Sequence, residues 1–204
     1  MPAHRTAGVQ LTISIMNTKF STWRFYNGAV LPATEPKENV DLSPLNDGSI
    51  WNFNGKYPLF ARWTSNFDCK QNTEWWWLIK DSLYEPLKLP SDRRRHIRKA
   101  RENFTVKIIN PCEFLNDIKQ IYFDAWEDFP DVYRPGFNEK DFNAKFSNLD
   151  NTKVFGCFSN EDSSLCCFII AIEKSNAILL SEQKSLRKYE RLKSNFAVID
   201  GFLN

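Results

Sequence analysis

The sequence predicts an α/β protein of the α+β kind, with a mixed, mostly antiparallel sheet flanked by helices. Three observations predict it. Apolar residues recur at three-to-four spacing from Phe114 to Trp126, the pattern of one helical face. Three apolar runs at 154–158, 165–172 and 177–180 are separated only by short polar turns, as in an antiparallel meander. A basic stretch with helical start and stop signals runs directly into the β-branched and aromatic run Phe104 to Ile109.

The elements follow in chain order. Residues 1–19 show no helical or strand period and read as a disordered extension, with Met16 as an alternative start. Residues 20–204 read as one partial domain. A more regular stretch from Phe20 to Tyr26 gives way to residues 31–58, rich in turn formers such as Pro32, Pro36, Pro44, Gly48 and Gly55. Residues 59–64 follow Pro58 as a strand. Residues 75–79 form a second strand, apolar on both faces, in which three adjacent tryptophans serve either as core or as the wall of a polar cleft.

Ser91 is the expected N-cap of a helix over 92–102. Asp92 in its first turn and Lys99 and Arg101 in its last turn complement the helix dipole. Residues 104–109 form a strand. Pro111 opens the long amphipathic helix, and Pro130 and Pro135 end it. Residues 138–149 form a short helix with Phe142 and Phe146 on one face. After the meander, Asn195 caps a final helix beginning at Phe196.

Composition narrows the class. The chain has 204 residues with 27 Lys+Arg against 25 Asp+Glu, 42% hydrophobic residues and only 7 Gly and 10 Pro, which excludes collagenous and disordered chains. No apolar run approaches the roughly 20 residues of a membrane span. The stretch from Leu11 to Met16 is too short and polar for a secretory signal. A soluble cytoplasmic protein without a membrane partner is the expectation. The odd cysteine set of Cys69, Cys112, Cys157, Cys166 and Cys167 contains no Cys-x-x-Cys, and the histidines are His4 and His96 alone. Neither a disulfide framework nor a metal site is expected.

The densest charge feature is the stretch from Lys88 to Arg101, with seven cations against Asp92. Arg94, Arg98 and Arg101 share one helical face. Such crowding calls for acidic neighbours, solvent screening or a bound polyanion. A solvated face and a phosphate-bearing ligand are both open, since arginine forks match phosphate oxygens. The balanced overall charge speaks against nucleic acid. Gly-x-Gly-x-x-Gly, Walker and Gly-x-Ser-x-Gly patterns are absent from the sequence. A Cys/His nucleophile pair would have to use His96, whose basic neighbours disfavour its protonation.

The stretches Phe60-Ala-Arg-Trp-Thr-Ser-Asn-Phe-Asp68, Thr73-Glu-Trp-Trp-Trp-Leu-Ile-Lys-Asp81 and Asp92-Arg-Arg-Arg-His-Ile-Arg-Lys99 resemble a FemAB-like group of bacterial acyltransferases related to the GNAT fold. There a Trp-rich strand precedes a basic helix. The order helix, strand, long helix, short helix, three-strand meander, helix is also similar to the first part of the GNAT fold. The resemblance implies transfer of an acyl group from acyl-CoA (acetyl-CoA) as co-substrate, without metal, to an amine or hydroxyl of a small-molecule or cell-envelope sugar acceptor. It implies that the donor lies along the strand at 177–180 and meets Leu180, Ser181 and the start of the last helix at Asn195, where helical N–H groups favour a diphosphate. It also implies Glu182 as general base, against the alternative of an ordinary loop carboxylate, and Arg94, Arg98 and Arg101 as contacts to a phosphate or to the substrate.

Two departures accompany the resemblance. The Arg/Gln-x-x-Gly-x-Gly/Ala loop of GNAT enzymes is absent between Ser181 and Phe196. The family continues with further strands, which would form the other lip of the donor cleft, so a truncated chain is expected. A non-catalytic remnant or interaction module on the same fold is the alternative. The run at 165–172, apolar on both faces, is expected to lack cover, and an exposed sheet edge is expected to drive homo-oligomerisation.

Overall fold

Side-chain caps mark the start of two helical segments. In the computed structural model, Asn138 accepts hydrogen bonds from the backbone N–H groups of Lys140 (2.9 Å) and Asp141 (3.2 Å), capping a helix. Asn110 does the same for the N–H of Cys112 (3.2 Å), where Pro111 starts a 3-10 turn. The structure describes residues 20–204 except 27, 36–37, 67–68, 71–77, 128, 132–133, 135, 148 and 175–176. The expected extension at 1–19 and the tryptophans at 75–77 lie outside the described residues. The protein is mixed α/β, with two sheets and six helices among the described residues. Its contacts divide it into two units, 1–80 and 81–204.

The first unit holds β1 (Trp23–Tyr26), β2 (Ala29–Pro32), the one-turn helix α1 (Ser43–Asn46) and β3 (Phe60–Ala61). β1 and β2 form an antiparallel hairpin, and β3 adds in parallel to β2. Gly28, at φ 75°, supplies the left-handed backbone of the hairpin turn. Phe20, Trp23, Val30, Ile50 and Phe53 form its core. The indole N–H of Trp23 donates to the carbonyl of Asp41 at 2.7 Å, so the buried ring keeps its polar atom satisfied. The strand expected over 59–64 shrinks to two residues: Leu59 and Phe60 are exposed and offer no buried face to extend the pairing. Leu78 and Ile79, expected to end a second strand, are exposed and belong to no strand.

The second unit holds α2 (Ser91–Asn103), β4 (Phe104–Ile109), α3 (Leu115–Trp126), α4 (Glu139–Ser147), β5 (Thr152–Ser159), β6 (Leu165–Glu173), β7 (Ile178–Ser185), α5 (Arg187–Glu190) and α6 (Ser194–Leu203). The strands lie in the order β4-β5-β6-β7, all antiparallel. Strand alternation separates the two faces. Phe168 packs on Tyr122 of α3, while its neighbour Cys167 donates weakly to the Asn195 side chain of α6. Phe158 meets Phe114, while Phe155 meets Phe202 of α6. So α3 covers one face and α6 the other, and α2 packs on α6 and β4.

Several expectations change. Strand β6 is buried along most of its length, because α3 and α6 both cover it and β5 and β7 both pair with it; the expected lack of cover is corrected. α6 approaches β4 closely where Gly201 lies over Val106, a spot with no room for a Cβ. The last strand is longer than the apolar run at 177–180. It continues to Ser185 because a buried neighbour supplies ladder hydrogen bonds that polar residues can also make. Ser91 does not cap α2. Pro90, with fixed φ, stands at the N-cap and Ser91 is the first helical residue. Asn195 does not cap α6 either. Lys193, in the left-handed region at φ 76°, precedes a helix that starts at Ser194. Cys157, Cys166 and Cys167 are buried as small core residues, and burial pushes all three thiols up from their ordinary value.

Candidate functional site

The ladder between β6 and β7 is interrupted. Ile170 pairs with Glu182 and Ala171 with Leu180, so Ser181 is an extra residue on β7. A bulge of this kind takes one residue out of the pairing and re-aims the side chains beside it. β7 is also the outer strand of its sheet among the described residues. Leu180, Ser181 and Glu182 therefore stand together at an irregular point of an open edge.

Glu182 is directed to the α3 side. Its carboxylate receives Lys145 Nζ from α4 at 2.5 Å, and Lys184 Nζ stands 3.7 Å from its other oxygen. Lys145 Nζ also donates to the hydroxyl of Tyr122 on α3 at 2.8 Å. The Lys145 ammonium lies over the rings of Tyr122 (5.2 Å) and Phe146 (5.6 Å), and Lys184 lies 5.0 Å from the Tyr122 ring centre. Two cations, one carboxylate and one phenol thus converge beside the bulge. The structure places Glu182 inside the strand rather than in a loop after it.

The next residues point the other way. Gln183 donates to Asn195 of α6 at 3.0 Å, and the hydroxyls of Ser185 and Ser194 are 2.6 Å apart. A groove of about 370 Å³ follows, lined by Gln183, Lys184 and Ser185 of β7, Arg187 and Glu190 of α5, Asn195 of α6, and Ala125 and Phe129 at the end of α3. Arg187 ties α5 to the end of α3: its N–H donates to the Asp124 carboxylate at 2.8 Å, and its guanidinium donates to the Asp124 carbonyl and to Glu127. Leu180, Ser181 and Glu182 thus follow one another on β7, whereas Asn195 meets the strand through Gln183 on the α6 side, the face opposite the Glu182 carboxylate.

The three arginines are not part of this group. α2 packs against α6 and β4, and β4 is the edge opposite β7. Arg101 donates through Nε (2.7 Å) and Nη2 (2.9 Å) to the buried carboxylate of Asp200, which also accepts from Tyr84 at 2.6 Å. Arg94 donates to the carbonyl of Leu87, and Arg98 is exposed. Nearby, His96 is edge-on to Phe196, and its pKa is lowered, first by burial and then by Lys193 and Arg95. Lys145, Lys184 and Tyr122 carried no signal in the sequence. Lys145 borders the Phe142 and Phe146 face of α4, but its partner Glu182 is 37 residues away.

Among the described residues no group of three or more His, Cys, Asp or Glu is placed to hold a metal ion, and no helix is long and apolar enough to cross a membrane. No family model and no curated protein matches the chain. Among solved structures, L-PGS from Bacillus licheniformis is similar at 18% identity, with a TM-score of 0.41, over 55% of this chain and 34% of that one. The chain thus matches about a third of the length of that structure.

Proposed function

We propose that the unit from Asp81 to Asn204 is an acyl-transfer unit acting in the cytoplasm. It takes an acyl group from acyl-CoA, acetyl-CoA in the simplest case, and delivers it to an amine or hydroxyl of a small molecule or cell-envelope sugar. The observation that carries the reading is the bulge at Ser181 on the outer strand β7, directly beside Glu182. A thioester donor laid along that edge meets backbone groups that no neighbouring strand among the described residues uses. The N–H groups around the bulge are suited to the carbonyl oxygen, which becomes an oxyanion as the acceptor attacks. Glu182 takes the proton from the acceptor and returns it to the departing thiolate, so the C–S bond breaks as the new C–N or C–O bond forms. The diphosphate belongs in the groove with Lys184, Arg187 and the start of α6.

The test is calorimetric titration with acetyl-CoA, followed by detection of released thiol in the presence of amine and hydroxyl acceptors. Glu182→Gln is expected to lower kcat by about 10²–10⁴-fold with donor affinity retained. Asn195→Asp, which keeps the acceptor for Gln183 but adds negative charge, is expected to weaken donor binding while leaving kcat near its parent value. Absence of donor binding sinks the reading. Binding without turnover at any acceptor selects the alternative, a non-catalytic module on the same fold.

A further inference from the structure

The ammonium of Lys145 is held more fully than a surface ion pair requires. Its contacts come from three elements: the Glu182 carboxylate of β7 at 2.5 Å, the Tyr122 hydroxyl of α3 at 2.8 Å, and the faces of the Tyr122 and Phe146 rings. Tyr122 and Phe146 are buried, so these walls exist whether or not the lysine is in place. The lysine itself is different. Its side chain is 45% exposed and belongs to the short helix α4, so its stem can swing into solvent without opening the core. A carboxylate, a hydroxyl and two aromatic faces are the groups that recognise an alkylammonium ion.

We propose that Lys145 is a tethered occupant of a cation site, and that the primary alkylammonium of a small ligand takes its place when the lysine withdraws. Lys184, 3.7 Å from the other Glu182 oxygen, sets the charge balance. With one ammonium between Glu182 and Tyr122 the cluster carries one net positive charge. A ligand ammonium entering beside a retained Lys145 would add a second. Ligand and lysine therefore exclude each other, and the lysine acts as a plug. The site shares Glu182 with the proposed acyl-transfer centre. A ligand held there would present its amine to the proposed base, but the binding itself requires no acyl donor.

The experiment uses the full chain and butylammonium chloride as the probe, followed by calorimetry without acyl-CoA. Lys145→Ala is expected to bind the probe saturably and at least tenfold more tightly than the parent. The double variant Lys145→Ala/Glu182→Gln is expected to lose that gain. Lys145→Ser is run beside the alanine variant as a second way of vacating the site. Equal affinity in parent and single variants overturns the proposal, as does a gain that survives loss of the carboxylate. Loss of fold in both single variants also overturns it, since a displaceable plug cannot be essential to the fold. Failure of acetyl-CoA to bind, with the butylammonium result intact, would reject acyl transfer and leave the cation site standing.

Discussion

Asp200 is a carboxylate with almost no access to water and three strong donors around it. Burial alone would raise its pKa; the hydrogen bonds from Arg101 and Tyr84 together outweigh that and hold it below the usual value. The folded chain therefore binds fewer protons at this group than the unfolded chain. Its contribution to stability is complete above the ordinary carboxylate value of 3.8 and is lost as pH falls through the lower folded value. Tyr84 has the opposite sign. Burial first, and then its bond to Asp200, push it up to about 12, so its contribution is complete below pH 10.0 and is lost on approach to 12. Arg101→Met strips two donors from the carboxylate. It is expected to cost roughly 2–3 kcal/mol in urea melts at neutral pH, less than a fully buried pair because Arg101 is half open to water. None of this was legible in the sequence. Arg101 reads there as one of three arginines on a face open to acidic neighbours, solvent or a phosphate, and nothing local shows that the acidic neighbour is Asp200, 99 residues on.

At the scale of elements, apolar pattern decided most of the second unit. The strand over 104–109 and the helix ending at Trp126 lie as their spacing predicts, because the first buries Phe104 and Ile109 and the second Ile118, Ile121 and Tyr122 in the same core. Pattern failed where the backbone, rather than the side chains, decides. The polar half of β7 is held by its ladder to β6, and the bulge at Ser181 has no composition cue. The docking of α6 likewise depends on an absence, the missing side chain of Gly201. A Cβ there would sit 2.5 Å from Val106 Cβ, and the nearest atoms are stiff, β-branched ones. Gly201→Ala is expected to lower stability by about 1–2 kcal/mol in spite of alanine's better helix propensity, because overpacking outweighs it. Thermal melts are expected to show a drop of roughly 2–8 °C. Gly201→Ala with Val106→Ala is expected to recover part of that loss, a recovery absent if the glycine serves only flexibility.

At the largest scale, the described residues form two cores that share no residue, one around Trp23 and Val30 and one around the four-stranded sheet. A chain of 81–204 alone is expected to melt cooperatively, since every residue of its core lies inside it; a broad, non-cooperative melt would contradict this. That separation was hard to read from the sequence, where turn formers between 31 and 58 mark loops without marking a division at residue 80. The open side of β7 has one more consequence. Along a strand paired on one side only, amides facing β6 are locked into the ladder and amides facing outward are not. Dissolved in heavy water, β7 is expected to take up deuterium on two clocks, fast and slow by turns, with the alternation slipping by one residue at Ser181.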